Sequence, residues 1–474
     1  MRAAHLVAVS GDDYNDDTIP EDTRPPEFTD EALALAFADL HKDYLQFVAG
    51  WGKWLAWDGA RWKVEDTYLA FDNARRVCRE AAARAIATDK KNGARIASNV
   101  ASANTVAAIE RLAKADRRLA ATTDQWDSDP DLLNTPKGTV HLVTGDLYPH
   151  RQSYYCSKVT AVAPAPSGTD CPLWRAFLDR ATAGDAELVR YLQIVSGYML
   201  TGSTREHALF FAYGTGRNGK GVFTSTISSI MADYGTVAGM ETFTASRHAQ
   251  HPTDLAALRG ARLVTAQETE QGRAWAESRI KALTGGDPIT ARFMAKDFFT
   301  YQPTFKLFIA GNHKPGLRSV DEAIRARFHL IPFTVTIPVA ERDPELPEKL
   351  RGEWPAILRW MIDGCMIWRE EGLRKPTAVQ AATDEYLAAE DALSLWLEEC
   401  CQTSTMGFEA VSDLFFSWRA WAEKAGEMAG SQKQFTQALE SRGFMRKRQP
   451  GTGRYGFGGI TINRPDYTDN GRYG

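Results

Sequence analysis

Residues 208–231 read ALFFAYGTGRNGKGVFTSTISSIM, and this stretch decides the fold. Leu209 to Tyr213 is an apolar run of strand length. From Val222 onward the apolar residues recur at helical spacing. Between them lies Gly214-Thr215-Gly216-Arg217-Asn218-Gly219-Lys220, a G-x-x-x-x-G-K loop in the strand–loop–helix setting that the motif requires. Its glycines let backbone amides turn inward around phosphate oxygens, and the following helix N-terminus favours an anion. Lys220 then reaches the β- and γ-phosphates of ATP. The expected nucleotide contacts are Gly214 to Lys220 together with Gly221 and Val222. Position 221 is Gly, where the strict pattern places a Ser or Thr on Mg²⁺. A water or Thr224 is the expected substitute.

Outward from this loop, residues 206–336 alternate short apolar strands with helices, the pattern of an α/β nucleotide-binding core. In RLVTAQETE (262–270) an apolar strand ends at Glu268-Thr269-Glu270. A carboxylate there holds Mg²⁺ through water and a second activates the attacking water. Glu268 is the first choice for the metal, and Glu270 or Glu268 for the base. In FKLFIAGNHKP (305–315) a strand ends at Gly311-Asn312, where an amide orients the water against the γ-phosphate. In DEAIRARFHLIPF (321–333) Arg325 and Arg327 precede a strand. Either could serve as an arginine finger on a neighbouring subunit's nucleotide. A surface ion pair is the plainer reading of either arginine taken alone.

The rest of the chain is organised around that core. Its 474 residues carry 56 Lys and Arg against 60 Asp and Glu, a net charge of 56 − 60 = −4. A general nucleic-acid coat is therefore excluded, and any DNA contact must be a local patch. The six cysteines form no CxxC pair and no zinc spacing, which reads as reduced intracellular thiols. No run approaches the ~20 apolar residues of a membrane span. The expected location is the cytoplasm, the host's if the gene is phage-borne. Residues 11–31 hold nine acids and one arginine, so 1–30 reads as an acidic disordered leader. Residues 31–165 read as a mixed α+β N-terminal domain. It opens on a helix, TDEALALAFADLHKDYLQFV (29–48), and continues with a tryptophan-rich hairpin turning at Asp58-Gly59. Its Trp51, Trp54, Trp57 and Trp62 suit core packing better than base stacking. Residues 166–205 are a helical collar, 206–340 the ATPase core, and 341–400 a further helical segment. Residues 401–474 read as helix, helix and Gly-rich hairpin, a winged-helix pattern. From Ser441 to Arg464 there are six basic residues and no acid. Arg446, Lys447, Arg448 and Arg454 on the hairpin, with Lys433 and Gln434 on the second helix, are candidate DNA contacts.

The loop GTGRNGKG, the Glu268/Glu270 strand, KALTGGDPITARFMAKDF (281–298), AGNHKP and DEAIRARFHLIPF, in this order, resemble superfamily 3 helicases. More closely they are similar to the phage and plasmid primase-helicase family, related to the poxvirus primase-helicase. The likeness is strong over about 130–340. It implies a P-loop, AAA+-like core of superfamily 3 type and a homo-oligomeric ring, hexameric, with ATP sites between subunits. It further implies 3′–5′ translocation on single-stranded or forked DNA. It makes 281–298 a pore hairpin, with Arg292, Phe293 and Lys296 facing the strand. A cation grips phosphate there and an aromatic ring supports stacking. The expected function is a replicative DNA helicase of a phage, plasmid or integrated element, working with a primase or a replication initiator. Two alternatives are a nucleotide-switched origin-binding protein without processive unwinding, and a bifunctional helicase-primase. For primer synthesis the nearest acidic group is Asp127, Asp129 and Asp131 in DSDPDLL, and that stretch reads as a turn.

Overall fold

The computed structural model describes residues 25–245, 252–267, 274–294, 297–317, 320–449 and 453–463, apart from the side chains of 405 and 406. Most of the leader expected over 1–30 lies outside them. The chain divides into two compact units, 1–128 with 151–157, and 129–150 with 158–474. Residues 129–150 and 158–165, grouped by sequence with the N-terminal domain, thus pack in the second unit. Leu133, Val140 and Leu142 share a core with Trp174 and Trp360, and the Asn134 amide donates to the Tyr234 hydroxyl at 3.0 Å.

In the first unit, helix α1 (Asp30–His41) is capped by the Thr29 hydroxyl, which accepts from the Ala32 amide. The helix expected to run to Val48 stops at His41. Leu45–Val48 forms strand β1 instead, because its aromatic and β-branched side chains pack better on a pleated surface. Strands β2 (Lys53–Trp57) and β3 (Trp62–Val64) form the hairpin, with Trp57 opposite Trp62. The Asp58 carboxylate accepts from the amides of Ala60 and Arg61 at 2.9 and 2.8 Å and fixes its turn. Trp54 and Trp62 are buried, while Trp51 and Trp57 are half-buried. Helices α2 (Leu69–Thr88), α3 (Gly93–Val100) and α4 (Ala103–Ala113) follow, and β4 (Ala120–Ala121) joins the edge of the sheet in the order β3-β2-β1-β4.

The second unit opens on a meander, β5 (Leu132–Thr135), β6 (Gly138–His141) and β7 (Asp146–Tyr148), followed by helices α5 (Pro172–Ala181) and α6 (Ala186–Leu200). Then come β8 (Leu209–Tyr213), α7 (Lys220–Met231), β9 (Gly235–Val237), α8 (Pro252–Ala256), β10 (Leu263–Gln267) and α9 (Glu277–Gly285). A hairpin follows, β11 (Ile289–Ala291) and β12 (Phe299–Tyr301), and after it β13 (Lys306–Gly311), α10 (Glu322–Arg327) and β14 (Phe328–Pro332). Strands β14-β8-β13-β10-β9 form one sheet, parallel throughout. Both faces are covered, which is why these strands read as near-continuous apolar runs. Phe210, Ala212, Phe308 and Ile331 face one core, and Leu209, Phe211, Val264, Ile309 and Leu330 the other.

Helices α11 (Leu346–Arg351), α12 (Trp354–Glu371) and α13 (Thr377–Cys400) lead to strand β15 (Cys401–Ala410). Helices α14 (Val411–Ala425) and α15 (Gln432–Ser441) and strands β16 (Met445–Arg448) and β17 (Tyr455–Ile462) follow. The expected hairpin is thus part of a three-stranded sheet, β15-β17-β16. Its third strand, CQTSTMGFEA, lacks the alternation that marks a strand in sequence. Trp396, Trp418, Phe435, Phe457 and Ile460 form its core.

Candidate nucleotide site and nucleic-acid contacts

Parallel pairing brings the carboxyl ends of β8 and β13 side by side, with Tyr213 opposite Gly311. Ligands of open α/β sheets bind outside such ends. The loop Gly214–Gly219 leaves β8 there, and α7 begins at Lys220. Gly214 admits no side chain, since a Cβ would lie 2.0 Å from the Phe333 carbonyl oxygen. Gly219 caps α7 at φ +92°, a left-handed conformation that favours glycine.

Lys220 is buried, with 6% of its surface exposed. Its Nζ donates to the Gly214 carbonyl at 2.7 Å, to Asn218 Oδ1 at 3.2 Å and to Asn312 Oδ1 at 3.3 Å. Burial pushes its pKa down to about 8. All three acceptors are neutral, so among the described residues the ammonium is hydrogen-bonded without a compensating charge. Asn218 is held in turn by its Nδ2, which donates to the Phe333 carbonyl at 2.7 Å. The structure therefore brings together Lys220, Asn218 and Asn312, although Asn312 is far from the other two in sequence. Thr215, Arg217 and Gly221 are exposed, and Gly216 and Val222 half-buried.

Thr224, the expected stand-in for the missing hydroxyl at 221, is buried, and its hydroxyl donates to the Lys220 carbonyl at 2.9 Å. This turns the group back into its own helix. Glu268 and Glu270 lie outside the described residues. Gln267, which ends β10, is exposed. No group of three His, Cys, Asp or Glu among the described residues could hold a metal.

Arg325 and Arg327 sit at the amino end of β14, opposite the start of β8, where Phe328 pairs with Leu209. The strand's length puts them roughly 15 Å from the loop of their own chain. Arg325 is exposed and paired with Asp391 at 2.9 Å. Arg327 is half-buried, donating to the Thr284 hydroxyl at 3.1 Å and the Ala323 carbonyl at 2.9 Å.

The described part of 281–298 forms the end of α9 and strand β11, and ends just before β12. Arg292, Phe293, Met294 and Phe298 are exposed between the two strands. The Arg292 guanidinium lies over the Phe298 ring at 4.7 Å, and Phe293 stacks on Phe299 at 5.6 Å. Lys296 lies outside the described residues. On the C-terminal sheet every residue of β16 is exposed, and Arg446 and Arg448 flank the Tyr455 ring at 5.1 and 5.9 Å. Arg454 and Lys433 are exposed as well. Two basic or polar candidates are otherwise engaged. Gln434 accepts from the Ser431 amide at 2.9 Å as half of a capping box. Arg442 is buried against Glu390 at 3.1 Å. Arg464 lies outside the described residues.

Asp127, Asp129 and Asp131 are each engaged in structural contacts of their own. Asp127 accepts from the Ser157 amide at 2.8 Å, Asp129 from the Asp131 amide at 2.8 Å, and Asp131 pairs with Arg369. Sequence reasoning missed Lys314, whose ammonium lies 4.2 Å over the Tyr213 ring beside the loop. Among the described residues no helix is long and apolar enough to cross a membrane.

Residues 34–183 match the family described as D5 N terminal like, and residues 212–327 match a family of unknown function (DUF5906). The chain is 24% identical over 258 residues to a protein of Acanthamoeba polyphaga mimivirus named "Putative helicase L207/L206". It is 23% identical over 241 residues to one of Frog virus 3 named "Putative helicase 022R". These stretches cover 50% and 46% of this chain but 27% and 25% of those proteins, so the chain spans about a quarter of their length. Among solved structures, apo forms of the NrS-1 C-terminal region superpose with TM-scores of 0.47 and 0.45 at 10% and 11% identity. Each superposition covers 90% of this chain, with 99% and 98% of the other. The chain is thus similar over 34–183 to the D5 N terminal like family, and over about half of its length to two viral proteins named as helicases.

Proposed function

We propose that the chain is an ATP-dependent DNA helicase with a P-loop, AAA+-like core of superfamily 3 type, acting as a ring. The observation that carries this reading is the position of Lys220. Its ammonium is buried at the carboxyl end of the sheet, among neutral acceptors that an anionic phosphate would outbid. Asn312, already 3.3 Å from Nζ, would exchange the lysine for the attacking water once a γ-phosphate takes the ammonium. Glu268 and Glu270 are the residues proposed to hold Mg²⁺, which supplies charge neutralisation when bound, and to activate water. Arg327 would act in trans, since strand length keeps it from its own loop. The exposed Arg292 and Phe293 would grip the translocated strand, with Lys296, and the β16 cations would contact DNA with the C-terminal winged-helix-like unit.

The test is ATP hydrolysis and strand displacement on a forked duplex. Lys220→Ala should abolish both, because the Lys220 ammonium is the buried charge placed to replace its neutral partners with phosphate. Turnover near the wild-type rate in that variant would remove the reading. One observation favours a second reading, a nucleotide-switched origin-binding protein. Position 221 lacks the metal-binding hydroxyl and Thr224 is bonded back to Lys220, which suits binding better than fast turnover. ATP-dependent duplex binding without strand displacement would decide for it.

A further inference from the structure

Several cations of the first unit are held in ion pairs. Arg75 and Arg76 pair with Asp72, each at 3.1 Å, Lys114 with Glu110 at 2.8 Å, and Arg118 with Asp116 at 2.6 Å and Asp39 at 2.7 Å. Lys42, Lys53, Arg79 and Arg111 are also exposed and outside these pairs, but they are spread along the sequence, whereas Arg84, Lys90, Lys91 and Arg95 fall within twelve residues. All four are exposed, and among the described residues none of them makes an ion pair. They occupy the C-terminal part of α2, the connecting turn and the first turn of α3. Over 84–95 the formal charge is 4 − 1 = +3, in a chain that is net acidic.

The corner that carries them is fixed. Gly93 sits against α2 so closely that a Cβ would lie 2.4 Å from the Ala85 carbonyl oxygen. The nearby carboxylate, Asp89, spends Oδ1 on the amides of Lys91 and Asn92, each at 2.9 Å. It holds the turn rather than covering the cations. Residues 84–95 contain no aromatic ring to stack on a base, and the exposed large apolar side chain among them is Ile86. Single-strand sites rely on such rings, whereas duplex phosphates need only cations.

We propose that this α2–α3 corner is a further DNA contact, one that binds the phosphate backbone of duplex DNA. The proposal takes from the helicase reading only that DNA is the partner, and it does not depend on ATP turnover. It is tested in the full chain with Arg84→Gln/Lys90→Gln/Lys91→Gln/Arg95→Gln, and separately with Lys90→Gln/Lys91→Gln in the turn. Binding is measured against salt for a blunt duplex and for a single strand of equal length. The duplex salt slope should flatten by about 0.9 for each phosphate no longer neutralised, so by up to roughly 3.6 for the fourfold variant and 1.8 for the double. The single-strand slope and the basal ATPase should stay as in the wild type. An unchanged duplex slope overturns the proposal and leaves a solvated face or an acidic protein as partner. Equal flattening on both DNAs overturns it too, because the corner would then be adding only to a general field. Loss of ATPase in Lys220→Ala, or its survival there, bears on the helicase reading alone.

Discussion

Raising the pH from 7 to 9 should weaken nucleotide binding through one residue. Burial holds the nucleotide-free Lys220 at a pKa of about 8. Its charged fraction is then about 0.9 at pH 7 and about 0.1 at pH 9, so affinity for a phosphate that needs the ammonium falls about tenfold. The sign follows from linkage. Phosphate raises the lysine's pKa in the complex, so the complex holds the proton more tightly than the free protein. Affinity is therefore full below about pH 8 and is lost above it. The free fold moves the other way. Its depressed lysine, relative to about 10.4 in the unfolded chain, makes stability rise with pH, by up to about 1.4 kcal/mol per unit between 8 and 10. The assay is calorimetric titration of a non-hydrolysable ATP analogue at pH 7, 8 and 9, in two buffers of different ionisation heat to count the proton taken up. Lys220→Arg, charged at every pH, binds with a shifted geometry but should show no such loss, and it subtracts any titration of the ligand. Wild-type affinity that tracks the arginine variant across this range would refute the placement of Lys220 at the phosphate.

Three further outcomes are expected. Gly221→Ser meets open space, with no heavy atom within 4 Å of the new Cβ. It should fold as well as the parent and lower the Mg²⁺ concentration for half-maximal ATPase, read by magnesium titration. Arg327→Ala should keep nucleotide binding and lose hydrolysis, and mixing it with Lys220→Ala should restore some activity at interfaces that pair the two intact residues. Arg325→Ala removes only an exposed ion pair worth less than about 1 kcal/mol; if it alone is inactive and mixing restores nothing, Arg325 is the finger. Glu390→Ala strands the buried Arg442 guanidinium, at a cost of about 3–5 kcal/mol that thermal unfolding would register.

The parallel sheet was readable because burial on both faces leaves strands β8, β10, β13 and β14 mostly apolar, with Thr265, Lys306 and His329 the buried exceptions. Leu209–Tyr213 was read at the bounds it has in the structure, and the strand that ends before Asn312 and the one that follows Arg327 were read in place. Elements that face solvent were harder. Helix α1 and strand β1 together keep helical spacing, so their boundary after His41 leaves no mark in periodicity. Strand β15 is held by its partner, with Thr403 opposite Ile460 and Phe408 opposite Gly458 across an irregular register. Its own residues carry little preference.

The candidate site divides along the same line. The glycine loop is local, so its spacing could be read directly, and Asn312 could be placed at a strand end. What Lys220 does between them depends on contacts across 92 residues, and no local pattern encodes a neighbour so far away. The same holds behind Asn312. Glu390 accepts from the Leu317 amide at 2.9 Å and also pairs with Arg442. Burial raises its carboxyl pKa, while Arg442, the Leu317 amide and Lys314 pull it down. A Cβ on Gly316 would lie 2.8 Å from Ser441 Cβ, so the loop after Asn312 packs directly on the end of α15. In sequence Arg442 was one more cation in a basic run. In the fold it is the buried partner of a carboxylate that also holds the loop following Asn312. Of the DNA contacts proposed on the C-terminal unit, those of β16, Lys433 and Arg454 are exposed. If phosphate draws Asn312 off Lys220, the loop behind it can shift only by repacking against Glu390 and Ser441, and that repacking reaches the end of the helix beside the exposed strand.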